Sequence, residues 1–192
     1  MAFILPPPKP PFFLAVAGWL IRKVTGKDLM PAQLLAWYPK AAISSAVLEG
    51  FITHQDGLLD ERMMKLVRMQ VSFSVGCPFC MDMNSVGWEK LLSKDELSVL
   101  QGTTPAEEVS TLSQREKLAL EYTRCISGTP LVFPRSLIQQ LVFHFSEREI
   151  VILATTAAQV NYWARVIQAL GCPPAGFCAT DFYLELPKAD VG

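Results

Sequence analysis

The chain is short of histidine, with only two, and short of charge, since Asp, Glu, Lys and Arg make up 18% of its 192 residues. Its 17 basic and 18 acidic side chains leave a net charge of −1, with no run of Lys and Arg. Gripping a phosphate backbone takes a basic face, so nucleic-acid binding is excluded. Low charge joined to 51% apolar residues excludes disorder over most of the length. Glycine-repeat periodicity, sustained heptads and a dense cysteine framework are missing too, which removes the collagen-like, coiled-coil and disulfide-stapled classes. What remains is one globular domain of ordinary size. Its apolar excess is expected to be buried in part between subunits.

Long hydrophobic runs are also lacking near the start. Phe12 to Ile21 is apolar for ten residues, about half of what a bilayer crossing takes. Five prolines (Pro6, Pro7, Pro8, Pro10 and Pro11) precede it, and Arg22 and Lys23 follow. A secretory signal has the opposite order, with charge first and small residues last. The first ten residues should be extended or polyproline-like. For this arm, packing on a partner subunit is preferred to membrane contact or removal by processing. Cysteine is present five times, an odd count. Without a secretory signal that fits a reducing compartment, so the cytoplasm is the expected location.

Helical periodicity runs nearly everywhere, and no convincing strand is found. Residues 31–53 read as one helix. Asp60 suits the N-cap of the next, whose stripe Met63, Leu66, Val67, Val71, Ser74 and Val75 has the spacing of a buried face. Glu61, Lys65, Arg68 and Ser72 occupy its opposite side. Gly76 interrupts, and a new helix starts at Cys77-Pro78. Ser113 with Glu116, and Ser146 with Glu149, form capping boxes for helices that Gly128 and Gly171 close. Pro134 opens a shorter helix between them. Residues 101–112 and 171–192 read as loop and tail. The segments DERMMKLV and SEREIVIL are alike enough to hint at internal duplication. The fold class is all-α: an N-terminal arm over 1–29, a helical bundle domain over 30–178 and a tail over 179–192.

The chemistry concentrates in Gly76-Cys77-Pro78-Phe79-Cys80-Met81-Asp82-Met83-Asn84. Proline favours the first helical position, which makes Cys77 the N-cap and Cys80 the third helical residue. Unpaired amides and the dipole at a helix start stabilise thiolate, drawing a thiol down from about 8.5 toward neutrality. A low-pKa thiol with a resolving neighbour is the minimum kit for peroxide reduction or disulfide exchange. The dipole alone favours Cys77 as the attacking group. A zinc site needs four ligands, and Cys172, Cys178, His54 and His144 supply no second tight pair. No metal is expected, and a redox dithiol is preferred to two inert buried cysteines.

The run LVRMQVSFSVGCPFCMDMNS resembles the core motif of the carboxymuconolactone decarboxylase and alkylhydroperoxidase D-like family. LSQREKLALEYTRCISG and FSEREIVILATTAAQVNYWARVIQALG are similar to the family's two following helices, so the resemblance covers residues 30–178. It implies an all-helical, trimeric or hexameric homo-oligomer that needs no cofactor. Its partners would be a small peroxide or disulfide substrate and a thioredoxin-like or other dithiol reductant. In peroxidase members the second cysteine attacks and the first resolves, which assigns Cys80 to attack and Cys77 to resolution.

Two positions depart from the pattern. The family's histidine four residues after the second cysteine is Asn84 here, and its glutamate twelve residues before the first is Lys65. Asparagine carries no proton at neutral pH, and losing a general base costs about 10²- to 10⁴-fold in rate. Lys65 could favour thiolate as an ammonium, or pair with Glu61 one turn earlier. Asp82 turned inward would oppose thiolate, so a solvated Asp82 is expected. Cys125 reads as core, Cys172 and Cys178 as free thiols, and Trp88 as packing on the face of Asn84. His54 suits a turn and His144 a helix C-terminus, and either is a candidate to serve a neighbouring subunit's thiols. Asn161 and Arg165 are candidates for buried hydrogen bonds. The rival readings are a non-redox, decarboxylase-like enzyme with Arg68, Arg115 and Arg165 as candidate anion binders, and a non-catalytic oligomeric binding protein.

Overall fold

Helix starts built from short polar caps set the order of the chain. The computed structural model describes residues 2–51 and 59–178. Among them nine α-helices form, and no β-strand. They are α1 (Phe12–Thr25), α2 (Met30–Leu35), α3 (Pro39–Phe51), α4 (Glu61–Ser74), α5 (Pro78–Asn84), α6 (Lys94–Gln101), α7 (Gln114–Ser127), α8 (Arg135–His144) and α9 (Glu147–Ala169). Short 3-10 turns occur at Trp88–Lys90 and Ala106–Glu108. His54 and the tail over 179–192 lie outside the described residues.

One expected element is corrected. The single helix over 31–53 is two, because Pro39 has no N–H to continue the ladder and disfavours a helical residue before it. The chain turns at 36–38, and α3 starts afresh at Pro39.

Helix α4 is the centre of the bundle. Asp60 accepts from the Met63 amide at its start, as the N-cap pattern predicts. Met63, Met64, Val67 and Val71 pack with Leu118 of α7 and with Leu153 and Ala157 of α9. Leu66 and Met69 face the other way, onto Leu97 and Leu100 of α6. The buried stripe is therefore wider than the spacing suggested, while Ser74 at its end is exposed. By length and composition α9 could cross a membrane. It is instead a core helix, with Leu153, Ala157, Val160, Ala164 and Ile167 buried.

Both expected capping boxes form, at Ser113–Glu116 and Ser146–Glu149. A third, Ser93–Glu96, opens α6 in a stretch to which sequence reasoning assigned no element. Each box glutamate also meets an arginine. Arg62 bonds Glu96 at 2.6 Å and Glu116 at 2.7 Å, and Arg115 bonds Glu149 at 2.7 Å and the His144 carbonyl. One guanidinium in the first turn of α4 thus ties down the starts of α6 and α7. A guanidinium in the first turn of α7 ties down the start of α9 in the same way. Burial alone would raise the Glu96 carboxyl. The Arg62 hydrogen bond, then the Ser93 amide and the Thr111 hydroxyl, outweigh it and lower the group from 4.5 to about 2.

A folded value below the unfolded one stabilises fully above about pH 4.5 and is lost as pH falls toward about 2. Denaturant melts of the wild type should therefore weaken across that window. Glu96→Gln should cost roughly 2–3 kcal/mol at pH 7 and flatten that part of the acid dependence. Identical acid profiles in the two proteins would contradict the assignment.

Candidate active site

The turn between α4 and α5 builds the site. Val75 ends α4, and Gly76 follows at φ 58° in the left-handed region. The Gly76 amide donates to the Phe73 carbonyl at 3.1 Å and the Cys77 amide to the Ser72 carbonyl at 3.2 Å, the paired bonds of a Schellman motif. Cys77 is then the N-cap of α5, its sulfur accepting from the Cys80 amide at 3.3 Å, with Pro78 at the first helical position. The two cysteines are joined in a disulfide, their Cα atoms 5.2 Å apart. Cys77 is 0% exposed and Cys80 3%.

Cys80 lines a cavity of about 890 Å³, and Cys77 is not part of its wall. The lining is mainly apolar, from Leu14 and Gly18 of α1, Phe79 and Met83 of α5, and Val160 and Ile167 of α9. Arg68, Asn84, Glu49 and Gln159 add polar groups. The N-terminal arm closes one side. The Phe3 amide donates to the Leu170 carbonyl at 3.0 Å, and Trp37 Nε1 donates to the Leu5 carbonyl at 2.8 Å. The Phe3 ring rests on Gly171, where a Cβ would stand 2.7 Å from it. No side chain of α1 is fully buried, and Phe12, Val16 and Val24, which do not line the cavity, are exposed.

The supporting residues sit as follows. Asn84 is half-buried at the cavity wall, and its Nδ2 donates to Ser72 Oγ at 3.0 Å. Ser72 in turn donates to the Arg68 carbonyl at 2.8 Å. Ser72, expected on the polar face, is therefore fully buried, because α5 folds over that part of α4. Lys65 Nζ donates to the carbonyls of Asn84 at 3.1 Å and Val86 at 2.9 Å, at the far end of α5 from the disulfide. Burial pushes this ammonium down, the Glu61 charge opposes, Arg68 adds to the fall and Cys178 opposes it. Glu61 is exposed and acts on Lys65 through its charge.

Asp82 is the main correction at the site. Expected in solvent, it is 0% exposed. Its carboxylate accepts from the amides of Gly176 at 2.7 Å, Phe177 at 2.8 Å and Cys178 at 2.8 Å. Three amide donors replace water for the buried charge and pin the loop after α9 onto α5. These partners lie more than ninety residues along the chain, so no local pattern could reveal them.

Other candidates divide by place. Cys125 packs against the main core, and Cys172 is buried beside Cys77 and Cys80 in one apolar cluster. Cys172 and Cys178 are not joined in a disulfide, and the Cys178 thiol donates to the Asp82 carbonyl at 3.5 Å. Trp88 is on the 3-10 turn rather than on the helix of Asn84, and it packs against the α6 core. His144 is the last residue of α8. Asn161 donates to Ser127 Oγ at 3.2 Å and to the Ala157 carbonyl at 2.9 Å, while Arg165 reaches Thr129 at an exposed position. Of the three candidate anion-binding arginines only Arg68 lines the cavity, and Arg115 is held by Glu149. Burial pushes the Arg68 guanidinium down, with the Glu49 charge opposing. Among the described residues no three His, Cys, Asp or Glu side chains converge as metal ligands. Sequence reasoning missed Glu49 and Gln159, which meet across 110 residues with no motif to mark them.

No model of a known protein family matches the chain. The uncharacterized protein YnjA of Escherichia coli is 28% identical over 176 residues, 91% of this chain and 95% of its own. Among solved structures, an uncharacterized peroxidase-related protein from Ralstonia eutropha, described as an alkylhydroperoxidase AhpD core, superposes with a TM-score of 0.72 at 15% identity, covering 94% of each chain. The debrominase Bmp8, solved with 2,3,4-tribromopyrrole, superposes with a TM-score of 0.69 at 14% identity, covering 88% of this chain and 91% of its own. The fold is that of the AhpD core, as the family resemblance implied.

Replacing Asp82 by Asn removes the charge and turns a donor toward amide donors. Asp82→Asn should cost roughly 2–3 kcal/mol in denaturant melts. It should also speed hydrogen exchange at the Gly176, Phe177 and Cys178 amides, and unchanged exchange there would contradict the role given to Asp82.

Proposed function

We propose that the protein reduces small apolar hydroperoxides with its Cys77–Cys80 dithiol. The observation that carries this reading is that Cys80 forms part of the wall of an apolar cavity while Cys77 lies behind it. A ligand in that cavity meets Cys80 first. This agrees with attack by the second cysteine of the family motif and outweighs the dipole preference for Cys77.

In the reduced protein, Cys80 thiolate attacks the terminal oxygen of the hydroperoxide. The O–O bond breaks, the alkoxide takes up a proton and leaves as alcohol, and Cys80 becomes a sulfenic acid. The Cys77 thiol attacks that sulfur, water leaves and the disulfide forms. A dithiol reductant, thioredoxin-like in chemistry, returns both thiols and is itself oxidised to a disulfide. The step needs no metal or organic cofactor. Asn84 stands where a proton-relaying histidine would and supplies only a hydrogen-bonding group, so turnover is slower than in a site with a base, by about 10²- to 10⁴-fold. Lys65 and Glu61 support the site from the far end of α5 through charge.

The mainly apolar lining favours an organic hydroperoxide over hydrogen peroxide. A debrominase of the same fold, solved with a small halogenated heterocycle, is in keeping with a small-molecule ligand. The exposed Phe12, Val16 and Val24 of α1 suit burial against further copies, so the working form we infer is a homo-oligomer, a trimer or hexamer in a reducing cytoplasm.

With dithiothreitol as reductant, cumene hydroperoxide should be consumed with Cys80-dependent turnover and in preference to hydrogen peroxide. Cys80→Ser should abolish consumption, and Cys77→Ser should leave a Cys80 sulfenic acid detectable by dimedone. Consumption equal in wild type and both variants would overturn the proposal.

A further inference from the structure

Residues 2–11 lie as a strap along the cavity, and little fastens them. Pro6, Pro7 and Pro10 form part of the wall that Cys80 also lines, and Ala2 packs against the apolar cluster of Cys77, Cys80 and Cys172. Among the described residues, two hydrogen bonds tie residues 2–10 to the bundle. One runs from the Phe3 amide to the Leu170 carbonyl after α9, the other from Trp37 Nε1, between α2 and α3, to the Leu5 carbonyl. The Phe3 ring completes this latch against Gly171, where a Cβ would stand 2.7 Å from it. Phe3 and Leu5 are nonetheless 75% and 79% exposed. The five prolines of residues 6–11 have no N–H to donate, so the middle of the strap rests on the wall by packing. Pro11, at φ −51° and ψ 138°, carries the polyproline form up to the start of α1. Such a segment is stiff and moves as a unit, and a segment with few buried contacts opens at low cost. The disulfide beside it is enclosed, with Cys77 0% and Cys80 3% exposed. A small dithiol can enter the cavity. A thiol carried on a protein surface has to reach Cys80 as well, and the strap stands in its wall.

We propose that the strap is a gate for the protein reductant, lifting at the Phe3–Leu5 latch to admit a protein dithiol to Cys80. Small molecules use the cavity with the strap closed. The inference rests on the reading of Cys77–Cys80 as a centre that a dithiol resets. With the strap lifted, a reductant thiolate attacks Cys80 Sγ, the Cys77–Cys80 bond breaks, and Cys77 leaves as thiolate and takes up a proton. The second reductant thiol gives up its proton and attacks the reductant sulfur of the mixed disulfide. Cys80 is released, and the reductant departs as its own disulfide, having supplied two electrons.

The test loosens the latch and compares two reductants. Phe3→Ala removes the ring, and Trp37→Phe removes the N–H, both at exposed positions outside the cavity wall. The oxidised full-length protein and each variant are mixed with reduced thioredoxin or with dithiothreitol. The disulfide that remains is followed by mass spectrometry after acid quenching. Thioredoxin should reduce each variant roughly fivefold faster than the wild type, while the dithiothreitol rate changes less than about twofold. Hydrogen exchange at the Phe3 amide should also speed up in Trp37→Phe, which reports the lifting itself. Unchanged thioredoxin rates, equal acceleration with both reductants, unchanged exchange at Phe3, or no reduction of any of the three proteins by thioredoxin would overturn the proposal. Gated reduction without Cys80-dependent hydroperoxide turnover would remove the peroxidase reading and leave the gate. Turnover with ungated reduction would do the reverse.

Discussion

The site hangs from one turn, the left-handed step at Gly76 that ends α4 and delivers Cys77 to the start of α5. Only a residue without a Cβ takes φ 58° cheaply, and that conformation lets the Cys77 amide reach back to the Ser72 carbonyl. Pro78 then fixes the first helical residue, and the Cys77 sulfur caps the Cys80 amide. Cys80 has to fall on the side of the helix start that faces Cys77. Inserting one residue between the two cysteines would rotate the second by about 100° around α5 and separate the thiols. The chemistry is thus set by backbone geometry before any side chain tunes it.

Holding α5 in place falls to groups outside that turn. Ser72 and Asn84 join α4 to α5 along one side, and Lys65 meets the carbonyls at the end of α5. Asp82 joins α5 to the loop after α9. Asp82 also resolves an electrostatic conflict. A bare carboxylate two residues from Cys80 would oppose thiolate, but three amide donors spread that charge into the loop. The arginine–glutamate pairs do comparable work farther out, where Arg62 sets α6 and α7 against α4 and Arg115 sets α9 against α7, each through a capping glutamate.

Features written in a few consecutive residues were legible in the sequence. The cap at Asp60, the boxes at Ser113 and Ser146, and the Cys77-Pro78 start all form as their spacing implies. The likeness of DERMMKLV and SEREIVIL extends to the ends of their helices. Both α4 and α9 close with a left-handed glycine, then cysteine and proline, at Gly76-Cys77-Pro78 and Gly171-Cys172-Pro173. Pro39 was equally local, yet the apolar periodicity across it hid the break between α2 and α3. Asp82, Ser72 and the Glu49–Gln159 pair were not legible, because each is defined by a partner on another helix or loop. Solvated charges and surface polar residues are the sound default for such positions, and burial overrode it only where a second element covered them.

The most direct measurement is the alkylation rate of Cys77 and Cys80 in the reduced protein as a function of pH, with mass spectrometry separating the two sites. The account predicts that Cys80 reacts faster at neutral pH than an unstructured cysteine and faster than the enclosed Cys77. It also predicts that one equivalent of an organic hydroperoxide converts both to the disulfide. Two thiols that alkylate alike, at the rate of a free cysteine, with no disulfide formed, would contradict it.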